Sequence, residues 1–190
     1  MARYDLVVLA GGLASRMGGV DKVSVPLHGR SSLDRLLAAV SEETRVLAVG
    51  PTRDTCRPVT WCREDPPGGG PLAAVAAALP LTSASIVLVA AGDMPRLGEV
   101  LDRLLETLEA HPHADVAVLR DESGVLQPLA AAYRRDALAG RLTNVGDPAG
   151  RPARLLLEGM SVVTIDGGAA AVDCDTWADI DRVSEELGRA

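Results

Sequence analysis

Short apolar runs recur along this chain, each closed by a Gly/Pro/Asp loop and followed by a segment of helical spacing, and that rhythm restricts it to an α/β architecture. Residues 6–10, 45–50, 59–62 and 85–91 read as strands, and the run at 85–91 is the most continuous. A strand apolar on both faces belongs in the middle of a parallel sheet, where helices cover both sides. Leu33, Leu36, Leu37 and Val40 share one face of a helix that Ser31 or Ser32 can cap. An Ala-rich helix follows at 72–79. Further on, the pattern predicts a helix over 97–110 and strands over 115–119 and 126–133, the last two forming an antiparallel hairpin across Asp121-Glu122-Ser123-Gly124. A polar surface loop over 143–152, another helix, a strand over 161–165 and a closing helix over 176–187 complete the reading. The expected fold is α/β, a Rossmann-like three-layer α/β/α sandwich around a mostly parallel sheet.

At 190 residues, one domain spanning 1–190 is expected. Hydrophobic residues make up 47% and charged residues 24%, enough apolar side chain for a core. Aromatic residues are only 2% and Phe is absent, so the core must be built from Leu, Val, Ala and Ile, and the composition argues against an aromatic platform for stacking bases. A net charge of -7 argues against binding nucleic acid, which needs clustered Lys and Arg. Any anionic ligand therefore needs local cations or a metal. Cys56, Cys62 and Cys174 have no CxxC spacing and read as reduced structural thiols, and His28, His111 and His113 as surface side chains. Trp61 and Trp177 read as packing residues. The apolar N-terminal run is far shorter than a signal-peptide core, and no stretch reaches the length of a membrane span. A cytoplasmic protein is expected.

In open α/β sheets, ligands bind beyond the carboxyl ends of the strands, and three loops at such ends carry the chemistry. The first, Leu9-Ala10-Gly11-Gly12-Leu13-Ala14-Ser15-Arg16-Met17-Gly18-Gly19-Val20-Asp21-Lys22, combines glycines with two cations. Glycines let backbone N–H groups approach phosphate oxygens, and Arg16 and Lys22 supply the charge that the acidic chain otherwise lacks. The spacing fits neither the dinucleotide fingerprint nor a Walker A loop. In the second, Glu64-Asp65-Pro66-Pro67-Gly68-Gly69-Gly70-Pro71-Leu72, the glycines permit close contact with a flat or anionic ligand, and Asp65 can accept from base or sugar donors. The third, Gly92-Asp93-Met94-Pro95, puts a carboxylate at the end of a central strand, where Mg²⁺ is its natural partner. Near the C-terminus, Asp173 and Asp175 stand two apart and can complete a metal site, while Asp175 or Thr176 followed by Asp179 also reads as a helix cap.

These segments, LAGGLASRMGGVDK, EDPPGGGPLAAV, AAGDMPRL, LQPLAAAYR and DCDTWADI, resemble in order and across essentially the whole chain the MobA-type nucleotidyltransferases, the molybdenum cofactor guanylyltransferases of the GT-A-like superfamily. The resemblance implies that Leu9, Ala10, Gly11 and Gly12 form the nucleotide loop, that Arg16 and Lys22 bind the triphosphate, and that Asp93 is the magnesium aspartate. It further implies that Asp65 and Gly70 contribute to guanine nucleotide binding. Lys22, Arg16 and Asp93 are then the catalytic groups, and Asp93, Asp175 and, less directly, Asp173 the Mg²⁺ ligands. The implied substrates are GTP, or another NTP, and a molybdopterin-type phosphate acceptor, with molybdoenzyme maturation proteins as further partners. A molybdopterin cytidylyltransferase, a sugar-phosphate nucleotidyltransferase and a non-catalytic nucleotide-binding regulator are the alternatives. The chain departs from the family pattern at Gly50, where Asn is common, at Asp173 and Asp175, where Asn is usual, and at Gly92, where Cys is common.

Overall fold

A computed structural model of the chain describes residues 3–11 and 20–189. In chain order, β1 (Asp5–Leu9) is followed by a short hairpin of β2 (Pro26–Leu27) and β3 (Arg30–Ser31), then α1 (Ser32–Ala38), β4 (Arg45–Val49) and β5 (Thr60–Cys62). Next come α2 (Pro71–Ala78), β6 (Ile86–Ala91), α3 (Leu101–Ala110), β7 (Val116–Arg120) and β8 (Leu126–Arg134). Helix α4 (Arg135–Val145), β9 (Val162–Asp166) and α5 (Trp177–Arg189) close the chain.

The large sheet has the order β5-β4-β1-β6-β8-β7-β9. β1 lies parallel to both β4 and β6, and β5 continues parallel to β4. β8 runs antiparallel to its two neighbours, β6 and β7, and β9 returns parallel to β7. The strands other than β8 therefore end at one edge of the sheet. Alternate residues face opposite sides, as the two-residue period of a strand requires. Leu6, Val8, Leu88 and Ala90 join the leucines of α1 and α3 on one face. Val7, Val87 and Val89 join Leu72, Val75 and Leu138 from α2 and α4 on the other. The result is the expected three-layer sandwich, and the described core is aliphatic apart from side chains such as Tyr4 and the fully buried Tyr133. Tyr133 donates its hydroxyl to the Pro128 carbonyl at 2.7 Å, and burial raises its pKa. No helix among the described residues is long and apolar enough to cross a membrane.

Several boundaries differ from the expectation, each for a local reason. The strand expected over 45–50 stops at Val49, because Gly50 turns to a φ of 147°. The helix expected to run to Val40 ends at Ala38, and Ser31 caps it by accepting the Asp34 N–H. The segment 97–110 opens as a 3-10 turn, Leu97–Val100, before α3 begins. Residues 143–145, expected in a loop, form the last turn of α4, which Gly146 terminates at a φ of 73° while its N–H donates to Leu142 and Thr143. The helix expected after that loop is a 3-10 segment, Ala153–Leu157. The β2–β3 hairpin, two residues a strand, is too short to show a period in the sequence. It packs Leu27 against Cys174, Ile180 and Val183, and so ties α5 to the main body.

Candidate active site

Beyond the carboxyl edge of β1, β4 and β6 lies a cavity of about 560 Å³. Its floor is backbone. Ala10 N–H donates to Val49 O at 2.9 Å, Gly92 N–H to Leu9 O at 2.9 Å, and Gly50 N–H to Cys62 O at 3.0 Å, locking the strand ends together. This close approach explains the glycines. A Cβ on Gly50 would stand 2.8 Å from the carbonyl carbon of Ala10 and from Gly11 N, and one on Gly92 would stand 2.8 Å from Leu9 O. Neither contact is tolerable, so the side chains common at these two positions in the resembling family would require the backbone to move.

Of the candidate site residues, Leu9, Ala10, Gly11, Lys22, Gly70 and Asp93 line the cavity. Gly12 and Arg16 lie outside the described residues. Asp65 is exposed and is not among the lining residues, whereas its neighbours Arg63 and Glu64 are. Glu64 accepts the Gly68 N–H at 2.9 Å and so braces the glycine run. That run ends at Gly70, with a φ of 88°, and Pro71 opens α2 with the fixed φ that suits a first helical position. The amino end of α2 therefore abuts the cavity, where its backbone dipoles favour an anion. Asp21 also lines the cavity. Glu64 and Arg63 carried a usable signal, since charged residues directly after a strand occupy the ligand-binding edge.

Lys22 brings the distant loops together. Its ammonium hydrogen-bonds Asp175 and lies 3.6 Å from Asp93 Oδ2. The segment carrying Asp175 is held there by the Cys174 N–H, which donates to Asp93 O at 3.0 Å. Cys174 itself is buried, and burial pushes its thiol up to about 11, consistent with a structural thiol. Partial burial opposes the charge on Lys22, but the Asp175 hydrogen bond and the charges of Asp93, Asp175 and Asp173 outweigh it and raise its pKa. Burial raises the Asp93 carboxyl above its ordinary value; Lys22 opposes this rise, while Asp173 and Asp175 add to it. Lys22 thus faces the charges of three carboxylates among the described residues, an excess of negative charge. A divalent cation would relieve that excess of negative charge, and hard carboxylate oxygens suit Mg²⁺. Among the described residues no three His, Cys, Asp or Glu side chains form a metal-holding group by themselves. The donor set thus fits an ion held by one or two carboxylates and completed by substrate phosphates and water.

The capping alternative for the C-terminal motif resolves onto Thr176. Its Oγ1 accepts the Asp179 N–H at 3.2 Å, and Asp179 accepts the Thr176 N–H at 2.9 Å, a reciprocal capping box. Asp175 turns instead toward Lys22. Trp177, expected to pack, is 49% exposed at the start of α5, whereas Trp61 is half-buried against the core.

The chain matches the model of a family described as a MobA-like NTP transferase domain over residues 6–162. It is 36% identical to a molybdenum cofactor guanylyltransferase of Shewanella frigidimarina, the match spanning 63% of each chain. It is 30% identical to a probable molybdenum cofactor guanylyltransferase of Natronomonas pharaonis across 95% of this chain and 96% of the relative. In structure it is similar to molybdopterin-guanine dinucleotide biosynthesis protein A from Archaeoglobus fulgidus, with a TM-score of 0.75 over 98% of this chain and all of the other. At 24% identity that likeness speaks for the fold.

Proposed function

The chain belongs to the MobA-like NTP transferase family, and from that premise we propose that it transfers GMP from GTP to the phosphate of molybdopterin, with Mg²⁺ and release of pyrophosphate. The observation that carries the reading is the convergence of Lys22, Asp93 and Asp175 beside a cavity floored by the Ala10, Gly11 and Gly50 backbone. Relatives named for guanylyl transfer support the choice of nucleotide and acceptor.

In the transfer, a phosphate oxygen of the acceptor bonds to the α-phosphorus of GTP, and the bond from that phosphorus to the bridging oxygen breaks as pyrophosphate leaves. Such chemistry needs alignment and charge neutralisation rather than a covalent protein nucleophile. Gly11 and the glycine run before α2 let the backbone approach the nucleotide closely, and the amino end of α2 favours its negative charge. Lys22, together with Arg16 from the loop motif, carries the charge that develops on the departing pyrophosphate. Asp93 and Asp175 would hold Mg²⁺, with Asp173 adding negative potential. When bound, Mg²⁺ supplies charge neutralisation and polarisation of the phosphate oxygens.

The test is pyrophosphate release from GTP, Mg²⁺ and molybdopterin, with CTP in a parallel arm. Release from GTP in preference to CTP is the expected result. Displacement of GTP by CTP at equal or lower concentration would instead favour cytidylyl transfer. Binding of GTP without release under any acceptor would leave a nucleotide-binding regulator.

A further inference from the structure

We infer that Arg53 is a positioning residue for nucleotide binding, acting through Asp21 to set Lys22 and to cancel a carboxylate that faces the triphosphate. The inference rests on the nucleotide reading of the cavity. Arg53 belongs to the connection between β4 and β5. Its guanidinium lies over the Trp61 ring on β5, 5.5 Å from the centroid, and its side chain is only 13% exposed. From there Nη1 reaches to 3.2 Å from Asp21 Oδ1, as an ion pair rather than an aligned hydrogen bond. The other Asp21 oxygen accepts the Ser24 hydroxyl at 2.6 Å. Asp21 O also accepts the Ser24 N–H at 3.0 Å, closing the 3-10 turn that carries Lys22.

Two physical consequences follow from this arrangement. The turn bearing Lys22 is anchored on one side by buried Val23 and on the other by the Asp21 to Arg53 pair, so the direction from which Lys22 leaves the backbone is set from β5. Asp21 also lines the cavity with a half-exposed side chain. Without Arg53 its charge would repel a triphosphate in the same space that Lys22 must make attractive. Lys at this position would keep the charge and part of the attraction to the Trp61 ring, but it is shorter and more strongly hydrated than Arg and replaces it only in part.

Affinity for GTP with Mg²⁺, measured calorimetrically without acceptor, tests this in Arg53→Met, Arg53→Lys, Asp21→Asn, the Asp21→Asn/Arg53→Met double variant and Lys22→Met. The expected result is a loss of about tenfold or more for Arg53→Met, only partial recovery with Arg53→Lys, and little further loss from Arg53→Met once Asp21 is Asn. That suppression distinguishes action through Asp21 from general loosening, which Asp21→Asn would not repair. If Arg53→Met fails to fold, Arg53→Lys against the Asp21→Asn background reads the same coupling. Affinity of Arg53→Met within twofold of wild type, or an undiminished loss in the Asp21→Asn background, overturns the inference. If Lys22→Met weakens GTP while Arg53→Met does not, this inference alone fails. If wild type binds no NTP, or Lys22→Met binds as wild type does, the nucleotide reading fails and takes the inference with it.

Discussion

Lys22 is the one ammonium among the described residues that meets both Asp93 and Asp175, and its placement separates the effects of three substitutions. Lys22→Ala removes a preorganised charge that the departing pyrophosphate needs, at a cost on the order of 3 kcal/mol in the transition state, while the apolar core stays untouched. Turnover near the wild-type rate would take Lys22 out of the site. Asp93→Asn keeps the shape of the side chain, and the Asp93 carbonyl still accepts the Cys174 N–H. Transfer should fall by about two orders of magnitude or more with the circular dichroism spectrum unchanged, because the amide lacks the charge that holds Mg²⁺ against water. Asp175→Asn should cost less, since Asp175 is the more exposed of the two and its charge is already offset by the hydrogen bond from Lys22. Equal, small effects of the two would place the metal elsewhere. At Gly50 the constraint is steric: its φ of 147° and a would-be Cβ 2.8 Å from the Ala10 to Gly11 backbone predict that Gly50→Ala destabilises the fold by about 1–3 kcal/mol. It should also weaken GTP, because relief of the clash moves the cavity floor. Chemical denaturation alongside nucleotide titration checks both outcomes.

At the scale of elements, the segment that leads into the amino end of α5 brings Asp175 to Lys22 and is held there by the Cys174 N–H on the Asp93 carbonyl. The Thr176 and Asp179 capping box satisfies donors at that end, and α5 packs on the β2–β3 hairpin through Ile180 and Val183. Thr176→Ala should lower stability by about 1 kcal/mol near neutral pH. The hydrogen bond from Thr176 holds the Asp179 carboxyl below its ordinary value, with Arg182 assisting and slight burial opposing. A carboxyl lowered on folding contributes stability above its unfolded pKa, about 3.9, and that contribution is lost as pH falls through the lower folded value. The difference in Tm between wild type and Thr176→Ala should therefore narrow in that acid window, and a constant difference would show that the box contributes nothing through the Asp179 charge. At the opposite edge of the sheet, Asp5 is buried at the start of β1 and accepts the N–H groups of Ser83 and Ala84 at 2.5 and 2.9 Å. It anchors the turn into β6 far from the chemistry, a role that its acidic character in the sequence did not disclose.

For the whole molecule, ligand binding at the strand ends should appear as stability. GTP with Mg²⁺ at 100 times its Kd should add roughly 2.7 kcal/mol, or about 5–10 °C in Tm for a chain of this size. A shift with CTP but none with GTP would reverse the proposed base preference. Much of this molecule is legible from local pattern. The runs that became β1, β4 and β6 are apolar because each is buried on one or both faces, and burial by neighbouring layers leaves its mark residue by residue. Glycines 70 and 92 and the charged groups Lys22 and Asp93 stand out locally too, since a positive φ, a tight approach between strand ends and a charge beyond a strand each restrict residue type at one position. The β2–β3 hairpin is too short to show a period. Helix α4 buries only Leu138 fully and carries Gly140 and polar residues in its middle, so its helical period is faint. The reversal of β8, the meeting of Lys22 with Asp175 across 153 positions, and the Arg53 to Asp21 pair have no local signature at all. Those features arise because strand order and loop docking are set by packing between elements remote in the chain. Residue type and local spacing single out Lys22, Asp93 and Asp175 as charged groups beside loops, and packing between segments remote in the chain brings the three together.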